Sequence, residues 1–262
     1  GITMLEKFDD DQYIYAYGTN VAVYQKSTDL HTIIKSDFTS SDPFSGQEAA
    51  GYFYVCNGGD KIGRISRTIT WDTQTANFNI GSKLTGQTSG ATGIITENSD
   101  SGTSGTLTLN NVQGTFQIGE IIKDNGGTPG SATATSVVTW TYTTISGAPK
   151  AKVLRVIGPR LYAGNLESDP SAVAYSNIST TYPLFNTWTV GTAASSPGLV
   201  NYPLAGSVNA IQSLGDNVIV LASRGKWAFT ITVQDVGGVL TKTDQNILQR
   251  IDMGGSRATV VT

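Results

Sequence analysis

The chain has 262 residues, 39% hydrophobic and only 14% charged, with a net charge of −3 from 17 basic and 20 acidic side chains. That is too little long-chain charge to clothe the solvent faces of a largely helical fold, and no basic run offers the footprint of a phosphate-backbone binder. Cys56, the single cysteine, excludes an intrachain disulfide. The longest aliphatic run, Val218 to Ala222, is far too short to cross a bilayer, so no membrane segment is expected.

Thirty glycines among many Thr, Ser and Asn residues predict short strands joined by tight turns, an all-β fold. In chain order, Asp9-Asp10-Asp11 reads as a solvated loop before a strand. Tyr13 to Tyr17 then run into Gly18-Thr19-Asn20 and Val21 to Tyr24, with Tyr13, Tyr15 and Tyr17 on one strand face and Ile14 and Ala16 on the other. His31 falls in what reads as a loop. Tyr52 to Cys56 lead through Asn57-Gly58-Gly59-Asp60 to Ile62. Val153 to Ile157 lead through Gly158-Pro159-Arg160 to Leu161-Tyr162, and Ile211 to Leu214 through Gly215-Asp216-Asn217 to Val218 and Leu221. Gly, Asn and Asp at these places supply hairpin-turn geometry. The chain starts at Gly1 without a basic-then-apolar leader and ends at Ala258 to Thr262 as if inside a strand, which is the expectation for a piece of a longer polypeptide.

The turn glycines 18, 58, 158 and 215 are separated by 40, 100 and 57 positions. The first interval is close to the roughly 40–45 residues of a four-stranded propeller blade. The second fits if roughly 60 residues are inserted, and the third if a loop is longer by roughly 15. Residues 76–138 supply the insert, turning rich in Gly, Thr and Ser, and residues 179–206, with Pro183, Pro197 and Pro203, supply the loop. The expected organisation is a discontinuous, partial propeller-like β domain of four or five blades at most, over 1–75 and 139–262, carrying a small β domain at 76–138. That insert is internally duplicated: Phe78-Asn79-Ile80-Gly81 is echoed by Phe116-Gln117-Ile118-Gly119, and Ala91-Thr92 by Ala132-Thr133.

Catalytic signatures are scarce. His31 is the sole histidine and has no nucleophile elbow near it. One His and one Cys would leave carboxylates to complete any zinc site. Gly58 to Arg64 lacks the Gly-Lys-Ser/Thr ending of a phosphate loop and opens no helix. Glu167 and Asp169 are the nearest approach to the carboxylate pair of a glycosidase. No cofactor or metal is expected. Of the tryptophans, Trp227 reads as core, and Trp188, in the long loop, as the interface candidate.

Three stretches resemble a family of phage virion proteins built on a β-propeller and found in tail nozzles and head–tail connectors. They are Gly147-Ala148-Pro149-Lys150 followed by Arg160-Leu161, with Pro159 where a polar residue is usual; Pro170-Ser171 leading to Tyr175-Ser176; and Phe185 to Trp188 followed by Trp227 and Gly254-Gly255. The resemblance implies a non-catalytic structural component of a bacteriophage virion. It implies a homo-oligomeric ring that contacts other virion proteins and lets DNA pass without binding it specifically. The alternatives are a module that binds host-surface glycans and, behind it, a glycan depolymerase.

Overall fold

The computed structural model describes residues 1–40, 42–178, 184–202, 205–214, 217–236 and 239–245, with side chains through residue 229. Among them every regular element is a strand and every named pairing is antiparallel. Strands β1 (Ile2–Lys7), β2 (Gln12–Tyr17), β3 (Asn20–Gln25) and β4 (Leu30–Lys35) form a first four-stranded blade. A second begins with β5 (Ser45–Ala49), β6 (Tyr52–Cys56) and the long β7 (Gly63–Ala76). The chain then makes β8 (Lys83–Gly86), β9 (Thr92–Asp100), β10 (Ser104–Gln113), β11 (Ile121–Asp124) and β12 (Ser131–Ala134) before β13 (Thr139–Thr144) returns to pair with β7. The third blade is β14 (Ala151–Ile157), β15 (Arg160–Leu166), β16 (Ala172–Tyr175) and β17 (Gly198–Asn201). The fourth is β18 (Val208–Leu214), β19 (Asn217–Ala222), β20 (Gly225–Val236) and β21 (Val239–Gln245).

The blades stack face to face as an arc. First strands meet at the inside of the arc, β1 against β5, β5 against β14, and β14 against β18. Three apolar layers fill the gaps. Met4, Ile14, Ala16 and Val21 pack on Phe53, Val55 and Ile65. Tyr52, Tyr54 and Cys56 pack on Leu154, Leu161 and Ala163, and Tyr162, Val173 and Tyr175 on Val208, Val218, Val220 and Phe229. Successive side chains of a strand point to opposite faces, so β6 serves two layers at once and every residue of it is buried. At the third junction Gly164 leaves room that a side chain would occupy: a Cβ there would stand 2.6 Å from Val208 Cγ1.

The insert is a closed ring of six strands in which β7 pairs β10 and β12, and the circuit runs on through β9, β8 and β11. It encloses Ile69, Trp71, Phe78, Leu84, Ile95, Leu107, Leu109, Phe116 and Ile122. The ring is the product of the duplication. As far as β8 and β11, residues of the first copy stand 38 positions before their counterparts, as Ile69 stands before its cross-strand partner Leu107, Trp71 before Leu109, Phe78 before Phe116 and Leu84 before Ile122. Backbone strain repeats at the same interval, with φ of 52° at Thr73 and 47° at Asn111, and of 87° at Gly81 and 83° at Gly119. β8 pairs β11 with Thr85 opposite Lys123, again one interval apart. A pseudo-twofold axis therefore passes between the two copies. The second hairpin is one residue longer, so Gly93, not Ala91, is the counterpart of Ala132, a register set by Leu84 opposite Gly93 and Ile122 opposite Ala132.

The insert boundary differs from the one expected at residue 76. β7 pairs β13 up to Thr68 and β10 from Arg67 onward, so one unbroken strand passes from blade to barrel near Arg67. The joint is polar: Arg64 meets Glu97 at 2.9 Å, and the Tyr52 hydroxyl lies 2.8 Å from both Glu97 Oε1 and Thr96 Oγ1. Both interruptions of the blade period fall between a third and a fourth strand. The barrel leaves there in the second blade, and residues 176–197 do so in the third. Gly18 and Gly58, with φ of 53° and 83°, join second to third strands, whereas Gly158, with φ of 55°, joins first to second. Gly215 lies outside the described residues.

Phe53 is fully buried between the first two blades. Phe53→Ala is expected to lower the unfolding free energy by about 3–5 kcal/mol, read from urea denaturation.

Candidate functional site: the outer face of the first blade

The inward face of the first blade is fully used, while its opposite face has no neighbour among the described residues. The antiparallel register lays out that face in rows. Leu5, Tyr15, Ala22 and Ile33 lie opposite one another, as do Lys7, Tyr13, Tyr24 and His31, and Ile2 lies opposite Tyr17. The rings form one sheet of contacts: Tyr15 stacks on Tyr17 at 5.7 Å, Tyr24 on His31 at 4.7 Å, and the Tyr15 hydroxyl lies 3.0 Å from His31 Nδ1. Ile2, Leu5 and Ile33 stay 63%, 60% and 56% exposed beside them. Tyrosines flanked by aliphatic side chains, with charge confined to the rim, are the composition of an interface core. Partial burial and the neighbouring Tyr17 hydroxyl hold the Tyr15 phenol above its ordinary pKa, so it stays neutral.

The residues singled out in the sequence go elsewhere. Trp188 is not on display: it is 8% exposed, packs in the layer between the second and third blades, and its indole N–H donates to the Phe185 carbonyl at 3.0 Å. The loop that carries it folds back over the blades, with the Leu184 carbonyl accepting from the Tyr54 hydroxyl. Arg160 is 3% exposed, and its guanidinium donates to the carbonyls of Ser176, Ser196 and Ala194 above the Tyr175 ring, pinning both ends of that loop. Leu161 is fully buried beside it. Gly147 takes a φ of 77° in the turn entering β14. The Pro149 carbonyl accepts from Ile62 N–H, and the Lys150 ammonium meets Glu167 at 3.0 Å. The Pro170 carbonyl accepts from Val208 N–H, and Ser171 donates twice to Asp169. Trp227 is half-buried against Tyr202. Gly254 and Gly255 lie outside the described residues. The Pro149 and Pro170 carbonyls tie neighbouring blades and Leu161 and Trp188 pack between blades, whereas the contacts of Arg160, Lys150 and Ser171 stay within the third.

His31 is on β4 and not in a loop. Asp9 accepts the N–H groups of Asp11 and Gln12, forming the turn before β2. Asn57 does the same for Gly59 and Asp60. Asp169 is held below the ordinary carboxylate range by hydrogen bonds from Ser171 and Asn201, against a small desolvation cost. Burial pushes the Cys56 thiol far up, away from nucleophilic chemistry. Among the described residues no three His, Cys, Asp or Glu side chains are grouped to hold a metal.

Two concavities lie among the described residues away from this face. One, of about 450 Å³, lies between the second and third blades by the Asp42–Lys152 ion pair, with Asn165, Glu167 and Ser207. The other, of about 770 Å³, runs between the first blade and the barrel, lined by Asp9, Asp11, Gln25, Gln113 and Trp140. In its wall Arg67, 6% exposed, lies between the rings of Phe8 and Trp140 at 5.2 and 5.5 Å. Burial lowers its pKa, and Asp9 at 3.4 Å acts against that shift.

The geometry defines an all-β protein, a propeller-like arc of four blades bearing a six-stranded barrel. No family profile matches the sequence, and no curated protein matches it. Among solved structures the chain is similar to Kluyveromyces lactis Hsv2, with a TM-score of 0.28 and 13% identity over 96% of this chain and 67% of that one. A likeness of that size carries no argument about function.

The buried carboxylates are structural, and Glu120 gives a measurable pH signature. Burial works against its charged form, but N–H groups of Ser89, Gln117 and Thr88 and the Ser89 hydroxyl all donate to it, so its pKa is lowered. A depressed folded pKa adds stability that is present above the ordinary glutamate value and is lost as pH falls through the folded one. Glu120→Gln is expected to cost roughly 1.5–3 kcal/mol at pH 7. Urea titrations should show the gap to the parent chain narrowing as pH falls below about 4.

Proposed function

We propose that the chain is a non-catalytic structural building block of a bacteriophage virion, of the tail-nozzle or head–tail connector type, and that it assembles into a ring. The observation that carries this reading is the arc itself. Three blade junctions are closed by buried apolar layers, while the first blade ends the stack with an apolar, tyrosine-rich face left exposed. A stack ended in this way is suited to being continued by a neighbour. The phage assignment rests on the resemblance of residues 147–164, 169–176 and 185–227, followed by Gly254-Gly255. A net charge of −3 suits a wall past which DNA slides, since a basic wall would retain it through phosphate contacts.

Support for a structural role also comes from what the polar groups are doing. Glu167 is ion-paired to Lys150 and Asp169 is saturated by Ser171 and Asn201, so neither is disposed as half of a hydrolytic pair. Trp140, which lines the larger groove with Phe116, is engaged by Phe8 at 5.1 Å and by Arg67. A sugar would have to displace those contacts.

Light scattering coupled to size exclusion, with negative-stain imaging of the peak, tests the reading. The expected result is closed oligomers at micromolar protein and no retardation of duplex DNA at 50 mM salt. A monomer that binds defined structures on a glycan array would replace this reading with the glycan-binding one.

A further inference from the structure

The larger groove, of about 770 Å³, is built where three elements meet. β4 and β13 are the outermost strands of the first and second blades, and each leaves one edge without a strand partner among the described residues. They approach near Lys35, whose ammonium lies 5.4 Å from the centre of the Tyr142 ring, and the groove opens between Leu30 and Thr139. Residues 114–116, the turn after β10, close its third side. Its first-blade wall is the face opposite the tyrosines: Gln12, Gln25, Leu30 and Thr32 alternate with Tyr13, Tyr24, His31 and Ile33 along their strands.

The lining is rich in donors that the described residues do not satisfy. Arg67, 6% exposed, uses Nη1 for Gln12 and Asp9 at 3.3 and 3.4 Å. Its Nε and Nη2 make no hydrogen bond, and of the two only Nε is fully buried, so Nη2 is the donor the groove can reach. Two main-chain runs add to it. The N–H groups of Thr115 and Phe116 on one side, and of Val137 and Val138 on the other, have no acceptor among the described residues. A donor shielded from water costs free energy until an acceptor meets it. Leu30 and Val137, 54% and 40% exposed, and buried Phe116 supply apolar surface beside these donors. The charged residues of the lining are Asp9, Asp10, Asp11 and Arg67, so an anion is disfavoured there. Phe8 and Arg67 cover the Trp140 ring, on which a sugar would stack.

We infer that the groove is a docking site for an extended polypeptide segment of a partner protein. Backbone carbonyls of the segment accept from Arg67 and from the N–H groups at 115–116 and 137–138. Its apolar side chains rest on Leu30, Phe116 and Val137, and a basic side chain points toward Asp9, Asp10 and Asp11. An extended peptide meets these demands because every residue brings a carbonyl while alternate side chains share one face. The inference goes beyond the ring-building reading, because the groove and the tyrosine face lie on opposite sides of the first blade.

A displayed library of random heptapeptides, selected on the intact chain, supplies the probe, and the selected sequences are remade as free peptides. The expected sequences alternate apolar residues, carry Lys or Arg and have no net negative charge. Leu30→Glu and Val137→Glu, both at exposed positions, should each weaken the best peptide roughly tenfold or more, with unchanged circular dichroism and melting. Ile33→Glu, on the other face of β4, should leave its affinity unchanged. Bound peptide should also slow amide exchange at 115–116 and 137–138. If selection yields no peptide above background, or the peptides bind the Leu30→Glu and parent chains alike, the inference is overturned. A defined glycan that binds the parent chain and loses affinity with Leu30→Glu overturns it equally. The ring-building reading stands or falls on oligomeric state, which none of these binding results decides.

Discussion

The structure depends on one constraint: strands in the middle of the arc are covered on both sides. β6 and β15 each contribute side chains to two apolar layers, so neither of their blades can be removed without exposing the next. A single antiparallel sheet of four short strands buries too little on one face to be stable alone. Stacked, each blade shares the cost of its order with its neighbours. Gly164 belongs to the same logic, since its missing side chain is what lets the third and fourth blades approach. The polar braces come second. Arg160 holds down a long loop, and the Lys150–Glu167 pair and the Asp169–Ser171–Asn201 group fix strand ends around a core that hydrophobic burial has already formed.

The barrel is a different solution to the same problem of exposed strand edges. Closing six strands into a ring removes both edges, and doing it with two tandem copies means that one set of buried side chains is specified twice. The repeat interval holds for core residues and for the strained backbone at Thr73 and Asn111 alike, which places the pseudo-twofold in the backbone and not merely in composition. Glu120 and Asp124 each bind backbone N–H groups at the hairpins, acting as local pegs where the chain turns. Because β7 runs unbroken from blade to barrel, the two parts are mechanically continuous even though their cores are separate.

Much of this is legible in the residues. Turn chemistry and period-two alternation give the all-β class and the hairpins of the first three blades. What the residues do not carry is which hairpin of a blade a given turn belongs to. Gly, Asn and Asp serve any tight turn, so Gly58 and Gly158 look equivalent though they join different strand pairs. The insert boundary was blurred for a related reason: β7 keeps its alternation through Arg67, and composition shifts only after the strand has ended. Trp188 shows the limit of reading exposure from loop character, because a proline-rich segment can fold back as a cover. The alternation of Tyr13, Tyr15 and Tyr17 is visible in the sequence, but alternation alone does not say whether a face is covered. Only the position of the first blade at the end of the stack leaves those rings at the surface.

Cys56 offers the most direct measurement of the central claim, that the blades are held by layers shared between them. It is the chain's single thiol and lies in the layer between the second and third blades. A chromogenic disulfide reagent applied across a urea series reads its accessibility. The account predicts no reaction with the native chain over hours, and labelling that rises only with global loss of β-sheet circular dichroism. Rapid labelling in the absence of urea, with the β-sheet signal intact, would contradict it, because the second and third blades would then be separating without unfolding.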